Sequence, residues 1–136
     1  MLSVYKFLPK APLSLPVRVL IADDHLLFAE ALSTILEPDQ RIKVVGRAAN
    51  GEQAVKLTRK LKPDVVLMDI SMPVLDGIEA ARQIHEALPA AQVLMLTGSA
   101  ARQDVAKSRK AGASGYVTKD RIASELVDTI LGLSKK

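Results

Sequence analysis

The sequence predicts an open α/β sheet of parallel strands covered by helices on both faces, and three observations predict it. Short apolar runs alternate five times with segments of helical periodicity. The connections between them are short, as right-handed βα crossovers require. Five βα units are also too few to close an eight-unit barrel, so the sheet stays open and doubly wound.

The elements follow in order. Val17–Ala22 is a β-branched apolar run and reads as the first strand. Residues 25–36 carry Leu26, Phe28, Ala29, Leu32, Ile35 and Leu36 at helical spacing. Ile42–Ala48 is the second strand. Asn50-Gly51-Glu52 opens a helix over 54–61, with Asn50 as its cap and Pro63 ending it. Residues 64–70, centred on Val65-Val66-Leu67-Met68, form the third strand.

Residues 77–88 place Ile78, Ala81, Ile84, Ala87 and Leu88 on one stripe, capped by Asp76 and followed by Pro89. Gln92–Thr97 is the fourth strand, 100–111 a helix closed by Gly112, and 114–118 a short fifth strand. Residues 121–133 form the last helix, with Ile122, Leu126, Ile130 and Leu133 on its apolar face. The expected strand order is 2-1-3-4-5, the flavodoxin-like one. Residues 17–134 are expected to be one domain, 1–16 a flexible leader interrupted by Pro9, Pro12 and Pro16, and 135–136 a short tail.

Composition narrows the function. A chain of 136 residues with 49% hydrophobic content builds one packed core rather than a disordered segment. Aromatics are only 3%, so that core is aliphatic. The absence of cysteine excludes a disulfide scaffold, thiolate chemistry and Cys-ligated zinc, and it fits a reducing cytoplasm, the expected location. No apolar stretch approaches the roughly 20 residues of a membrane span.

Net charge is +4. The basic groups Lys56, Arg59, Lys60 and Lys62, and Arg102, Lys107, Arg109 and Lys110, have helical spacing and read as solvated faces. Nothing in them resembles a base-reading motif.

Chemistry enters where the strands end. Asp23 and Asp24 follow the first strand and Asp69 ends the third; in the order 2-1-3-4-5 these strands are neighbours at the point where ligands bind. Three converging carboxylates repel strongly and need a cation, and hard oxygen donors suit Mg²⁺ or Mn²⁺. Lys119, after the fifth strand, adds one positive charge, and Thr97, after the fourth, adds a hydroxyl.

A carboxylate can attack phosphorus and become an aspartyl phosphate, with the metal offsetting charge on the transferring oxygens. Asp69 is the best acceptor, because it stands alone on the central strand and leaves Asp23 and Asp24 as metal holders. Lys119 and Thr97 can meet the phosphoryl oxygens. Pro73 forces a turn after Asp69, which leaves backbone groups such as the Ser71 carbonyl free to face a metal. His25 reads as a helix-start residue near the carboxylates rather than a phosphoryl carrier, and His85 as ordinary surface.

These residues match a family. Val19-Leu20-Ile21-Ala22-Asp23-Asp24-His25, Asp69-Ile70-Ser71-Met72-Pro73 with Asp76-Gly77, Leu96-Thr97, and Gly115-Tyr116-Val117-Thr118-Lys119 together resemble receiver domains of two-component response regulators. The resemblance covers about residues 17–133. The wording Ile21-Ala22-Asp23-Asp24-His25 and Val44-Val45-Gly46-Arg47-Ala48-Ala49-Asn50-Gly51 is similar to the NarL/FixJ branch. In that branch a DNA-binding helix-turn-helix domain usually follows the receiver. DNA contact is therefore expected only through an effector domain outside this sequence, whether the chain is an excised or a stand-alone receiver.

The resemblance implies that Asp69 accepts phosphoryl from a sensor histidine kinase. It implies that Asp24, Asp69 and the Ser71 carbonyl ligate Mg²⁺, with Asp23 acting through metal-bound water, and that Thr97 and Lys119 bind phosphoryl oxygens. Tyr116 matches the switch aromatic that turns inward when Thr97 moves. A phosphorylation-dependent homodimer, signalling through helix 4, strand 5 and helix 5, is a further expectation.

Asp120 stands where many receivers have Pro and is expected to cap the last helix. Gly98 after Thr97 leaves room at the site. Two alternatives carry less of the pattern. One is a receiver-like interaction module that works without phosphorylation. The other is a haloacid-dehalogenase-type phosphatase, which usually needs a second Asp where this chain has Ser71.

Overall fold

A computed structural model describes residues 15–98 and 102–134. Its elements are β1 (Val17–Ala22), α1 (Leu26–Leu36), β2 (Ile42–Ala48), α2 (Gly51–Leu61), β3 (Val65–Asp69), α3 (Gly77–Ala87), β4 (Gln92–Thr97), α4 (Arg102–Lys110), β5 (Gly115–Thr118) and α5 (Ile122–Ser134). All strand pairs are parallel and the sheet runs β2-β1-β3-β4-β5, as the alternation predicted. The expected leader lies, up to residue 14, outside the described residues, as do 100–101 of the expected fourth helix and the tail at 135–136.

The strands alternate between two cores because successive side chains point to opposite faces. Val19, Ile21, Val65, Leu67, Leu94 and Leu96 pack with Ala29, Leu32 and Leu36 of α1 and Ile122, Leu126 and Ile130 of α5. Leu20, Ala22, Val66, Met68, Val93 and Met95 face the other way, onto Ala54 and Val55 of α2 and Ala80, Ala81 and Ile84 of α3. Every residue of β3 is buried, which explains its unbroken apolar text. The fourth helix is the exception. Ser108 is the only buried one among its described side chains, so α4 is held far more lightly than the rest.

Both predicted caps form: Asn50 Oδ1 accepts the Gln53 N–H at 2.8 Å and Asp76 Oδ1 accepts the Glu79 N–H at 2.9 Å. Several boundaries differ from expectation. Helix α2 starts at Gly51 rather than residue 54, directly after its cap. Its far end is closed by Lys62 in the left-handed region (φ 50°), and the Arg18 guanidinium donates to the Leu61 and Lys62 carbonyls at 2.7 and 2.9 Å. Asp120 does not cap α5. It lies inside a single 3₁₀ turn, Lys119–Arg121, preceded by Thr118.

One polar group in the core has no partner among the described residues. Thr58, on α2, is fully buried and its Oγ1 makes no hydrogen bond. A buried unsatisfied hydroxyl costs roughly 1–3 kcal/mol, whereas an apolar group of the same shape does not. Thr58→Val should therefore raise the unfolding free energy by about 1 kcal/mol in urea titrations. A loss of stability would show that the hydroxyl is satisfied in solution.

Candidate functional site

The C-terminal ends of β1, β3, β4 and β5 share one edge of the sheet, and this edge gathers the predicted residues. β1 and β3 are direct neighbours, with Ala22 paired to Met68. Asp23 and Asp69, one step beyond that pair, are 4% exposed each. Asp23, Asp24, His25 and Asp69 each offer a ligand atom, and these atoms lie within 4.8 Å of one another. Asp24 is the more open carboxylate, its side chain 29% exposed.

The two Asp23 oxygens differ. Oδ1 accepts the backbone N–H of His25 at 2.8 Å, a local bond that turns the chain into α1. Oδ2 is buried and has no hydrogen-bond partner among the described residues. A buried anionic oxygen without a donor is costly, and a cation at this position removes the cost. The donor set of oxygens around it fits a hard divalent ion.

Asp69 feels the same imbalance. Burial raises its carboxyl above the usual range, and the neighbouring charge of Asp23, then that of Asp24, pushes the same way. Lys119 and the backbone N–H of Ser71 pull in the opposite direction without cancelling the rise. Lys119 Nζ stands 3.6 Å from Asp69 Oδ1 and 4.5 Å from the centre of the Phe28 ring on α1. The ammonium is thus held between a carboxylate and an aromatic face. The sequence reading missed Phe28 as a site residue, because nothing local links it to Lys119.

Thr97 ends β4, is buried, and pairs in register with Thr118. A Cβ added at the next residue, Gly98, would meet nothing within 4 Å among the described residues. Tyr116 is 44% exposed on β5 and is not a core tyrosine. It borders a surface hollow of about 500 Å³ with Gly98, Thr118, Asp120 and Arg121. The backbone N–H of Ser71 also bears on the site, since it partly offsets the rise at Asp69.

The loop after Asp69 is held by main-chain contacts. The Leu75 N–H donates to the Pro73 carbonyl at 2.8 Å around Val74, whose φ of 69° is rare for a β-branched residue. The Gly77 N–H donates to the Ile70 carbonyl at 2.8 Å, and a Cβ at Gly77 would lie 2.0 Å from the Asp69 carbonyl oxygen. A Cβ at Gly51 would lie 2.0 Å from the Leu75 carbonyl oxygen. Both glycines therefore let helix starts press against the loop backbone. In sequence each close approach is marked only by a capping residue followed by glycine, Asp76-Gly77 and Asn50-Gly51.

The raised carboxyl of Asp69 has a pH consequence. Between the unfolded value, about 3.9, and the raised folded value, the native state binds the extra proton. Metal-free stability therefore falls as pH rises through that window, and the penalty persists at neutral pH. Asp69→Asn should be more stable than the parent at pH 7 without divalent ions. The gap should narrow as pH falls through that window and vanish below about 3, where the carboxyl is protonated in both states. Thermal melts in a chelator check this, and a parent more stable than the variant at pH 7 would contradict it.

Comparison with known proteins places this geometry. Residues 19–131 match the family described as the response regulator receiver domain. The transcriptional regulatory protein LnrK of Bacillus subtilis is 36% identical over 115 residues, which is 85% of this chain and 52% of LnrK. The chain thus spans about half the length of the curated relatives it matches. Among solved structures, the receiver domain of a NarL response regulator from Mycobacterium tuberculosis superposes with a TM-score of 0.85 at 31% identity, covering 89% of this chain and 98% of that one. The CheX–CheY–BeF3–Mg²⁺ complex from Borrelia burgdorferi aligns with a TM-score of 0.82 at 27% identity, covering 90% and 92%. The NarL match agrees with the branch that the sequence resembles, and the chain belongs to the response regulator receiver domain family.

Proposed function

We propose that this chain is a phosphorylation-controlled switch in which Asp69 takes a phosphoryl group from a sensor histidine kinase. The observation that carries the reading is the juxtaposition of a buried Asp23 oxygen, without a hydrogen-bond partner among the described residues, with Asp69, itself 3.6 Å from Lys119. A site with excess negative charge and one ammonium is prepared for a cation and for an incoming group that the ammonium can hold. The matched CheY structure, a complex containing BeF3 and Mg²⁺, supports carrying that cation to this chain.

Asp23, Asp24, Asp69 and the Ser71 carbonyl would hold Mg²⁺. When bound, the ion offsets charge on the transferring oxygens and orients donor and acceptor. A carboxylate oxygen of Asp69 attacks phosphorus; a P–O bond forms, the P–N bond to the kinase histidine breaks, and the departing nitrogen takes a proton from solvent. Lys119 and Thr97 receive phosphoryl oxygens. Self-catalysed gain and loss of the group is the chemistry, and regulation is the purpose. Ser71 offers no carboxyl for a phosphatase general acid.

The modified Asp69 carries more negative charge than a carboxylate and presents new acceptor oxygens. These draw Thr97 and Lys119, and β4, α4 and β5 follow, with the exposed Tyr116 ring turning inward. The output surface is α4, β5 and α5, used by a second copy of the chain or by a DNA-binding effector domain. The name of LnrK, a transcriptional regulatory protein, supports transcription as the output. No described helix is long and apolar enough to cross a membrane, and a cytoplasmic site of action goes with a kinase partner.

Incubation with acetyl phosphate and Mg²⁺ should add the mass of one phosphoryl group to the intact chain, and Asp69→Asn should not gain it. Retention of the added group in that variant would move the acceptor elsewhere. Phe28→Leu should slow the same reaction about two- to five-fold, because the ring's hold on the Lys119 ammonium is worth about 0.5–1 kcal/mol. Unchanged single-turnover rates would show that the ring does not position Lys119.

A further inference from the structure

Beside the carboxylates sits a group that an all-oxygen site does not need. His25 Nδ1 lies 3.2 Å from Asp24 Oδ1 and 3.4 Å from Asp23 Oδ1, and it belongs to the same cluster of ligand atoms within 4.8 Å as Asp69. We propose that His25 gives this cation site a nitrogen donor, so that it holds borderline transition-metal dications such as Co²⁺ and Zn²⁺ more tightly than Mg²⁺. The inference rests on the cation-site reading above and adds a ligand and a metal class to it.

Geometry is the first support. Two donors on one dication, each about 2.0–2.2 Å from it, stand roughly 3.0–3.5 Å apart between octahedral and tetrahedral angles. The two separations from Nδ1 already fall in that range. His25 is also fixed at both ends of its backbone. Its N–H donates to Asp23 Oδ1 at 2.8 Å, and its carbonyl accepts the Ala29 N–H at 2.9 Å as α1 begins. The imidazole is 69% exposed, so a hydrated ion can reach it from solvent.

The second support is independent of the histidine. Asp23 has a fully buried side chain, and its Oδ2 lacks any hydrogen-bond partner among the described residues. That oxygen calls for a cation deep in the crevice, while Nδ1 and the open Asp24 carboxylate line its mouth.

Selectivity follows from donor chemistry. Carboxylates and carbonyls alone favour Mg²⁺, Ca²⁺ or Mn²⁺, whereas an imidazole among them favours Co²⁺, Ni²⁺, Cu²⁺ and Zn²⁺ in the usual order of divalent affinities. A histidine acting only as a countercharge would add little, since exposed ion pairs contribute weakly and show no preference between dications.

The test compares the full chain with His25→Gln and, because the chain has two histidines, His85→Gln. Affinities for Co²⁺ and Mg²⁺ are read from Co²⁺ absorption with Mg²⁺ competition. The imidazole carbon-bound protons of the parent are followed by NMR during Co²⁺ addition. The expected result is about a ten-fold or greater loss of Co²⁺ affinity in His25→Gln, with Mg²⁺ affinity changed by less than about two-fold. His85→Gln should bind both ions as the parent does, and sub-stoichiometric Co²⁺ should shift the His25 resonances alone.

Equal Co²⁺ affinity in the parent and His25→Gln, or a parent imidazole that ignores Co²⁺ while Mg²⁺ binds, would overturn the nitrogen donor and leave the carboxylate site standing. A Co²⁺ response that follows His85 would also overturn it. Failure of the parent to bind Mg²⁺ at all would remove the cation site itself.

Discussion

Repulsion between Asp23 and Asp69 at the junction of β1 and β3 is the constraint on which the rest of the site depends. The two carboxylates are brought together because their strands are hydrogen-bonded neighbours, and they are buried because helices cover both faces of the sheet. Water is therefore largely kept from these two carboxylates, while Asp24 beside them stays open. Lys119 offsets part of it, helped by the Phe28 face, and the Ser71 N–H offsets a little more. What is left over is a standing demand for positive charge. The two apolar cores sustain it, because each is continuous from strand to helix and owes nothing to the carboxylates.

Much of this was legible in the sequence, for reasons that differ by residue. The strands were readable because a doubly covered parallel strand has no polar face, so Val65 to Met68 stand as an unbroken apolar run. The site was readable because strand ends carry its residues and the strand order brings those ends together. Asn50 and Asp76 were readable as caps because capping is local. The errors came where distant packing decides. Asn50-Gly51-Glu52 reads as the opening of a helix over 54–61, but the absence of a Cβ at Gly51 lets α2 start three residues earlier, against Leu75. Asp120 has a capping side chain, yet the chain spends that position on a tight 3₁₀ turn that carries Lys119 into the site.

Pairs far apart in sequence were invisible for the same reason. Phe28 and Lys119 meet only because α1 and β5 lie at the same edge of one core. Gly112 shows the effect elsewhere: at φ 99° it closes α4, and a Cβ there would lie 2.5 Å from the His85 ring carbon. The glycine that looked like a helix stop is also the floor under a side chain of α3.

The close approach of Gly77 to Asp69 has a mechanical consequence. Main chain presses on main chain there with no side chain between, so β3 and the start of α3 are in direct backbone contact. On the other flank, α4 buries only Ser108 among its described side chains. A push generated between these flanks is not shared equally. Under the proposed switch it would travel toward the yielding side, so that the direction of the response is set by backbone packing rather than by the chemistry that starts it.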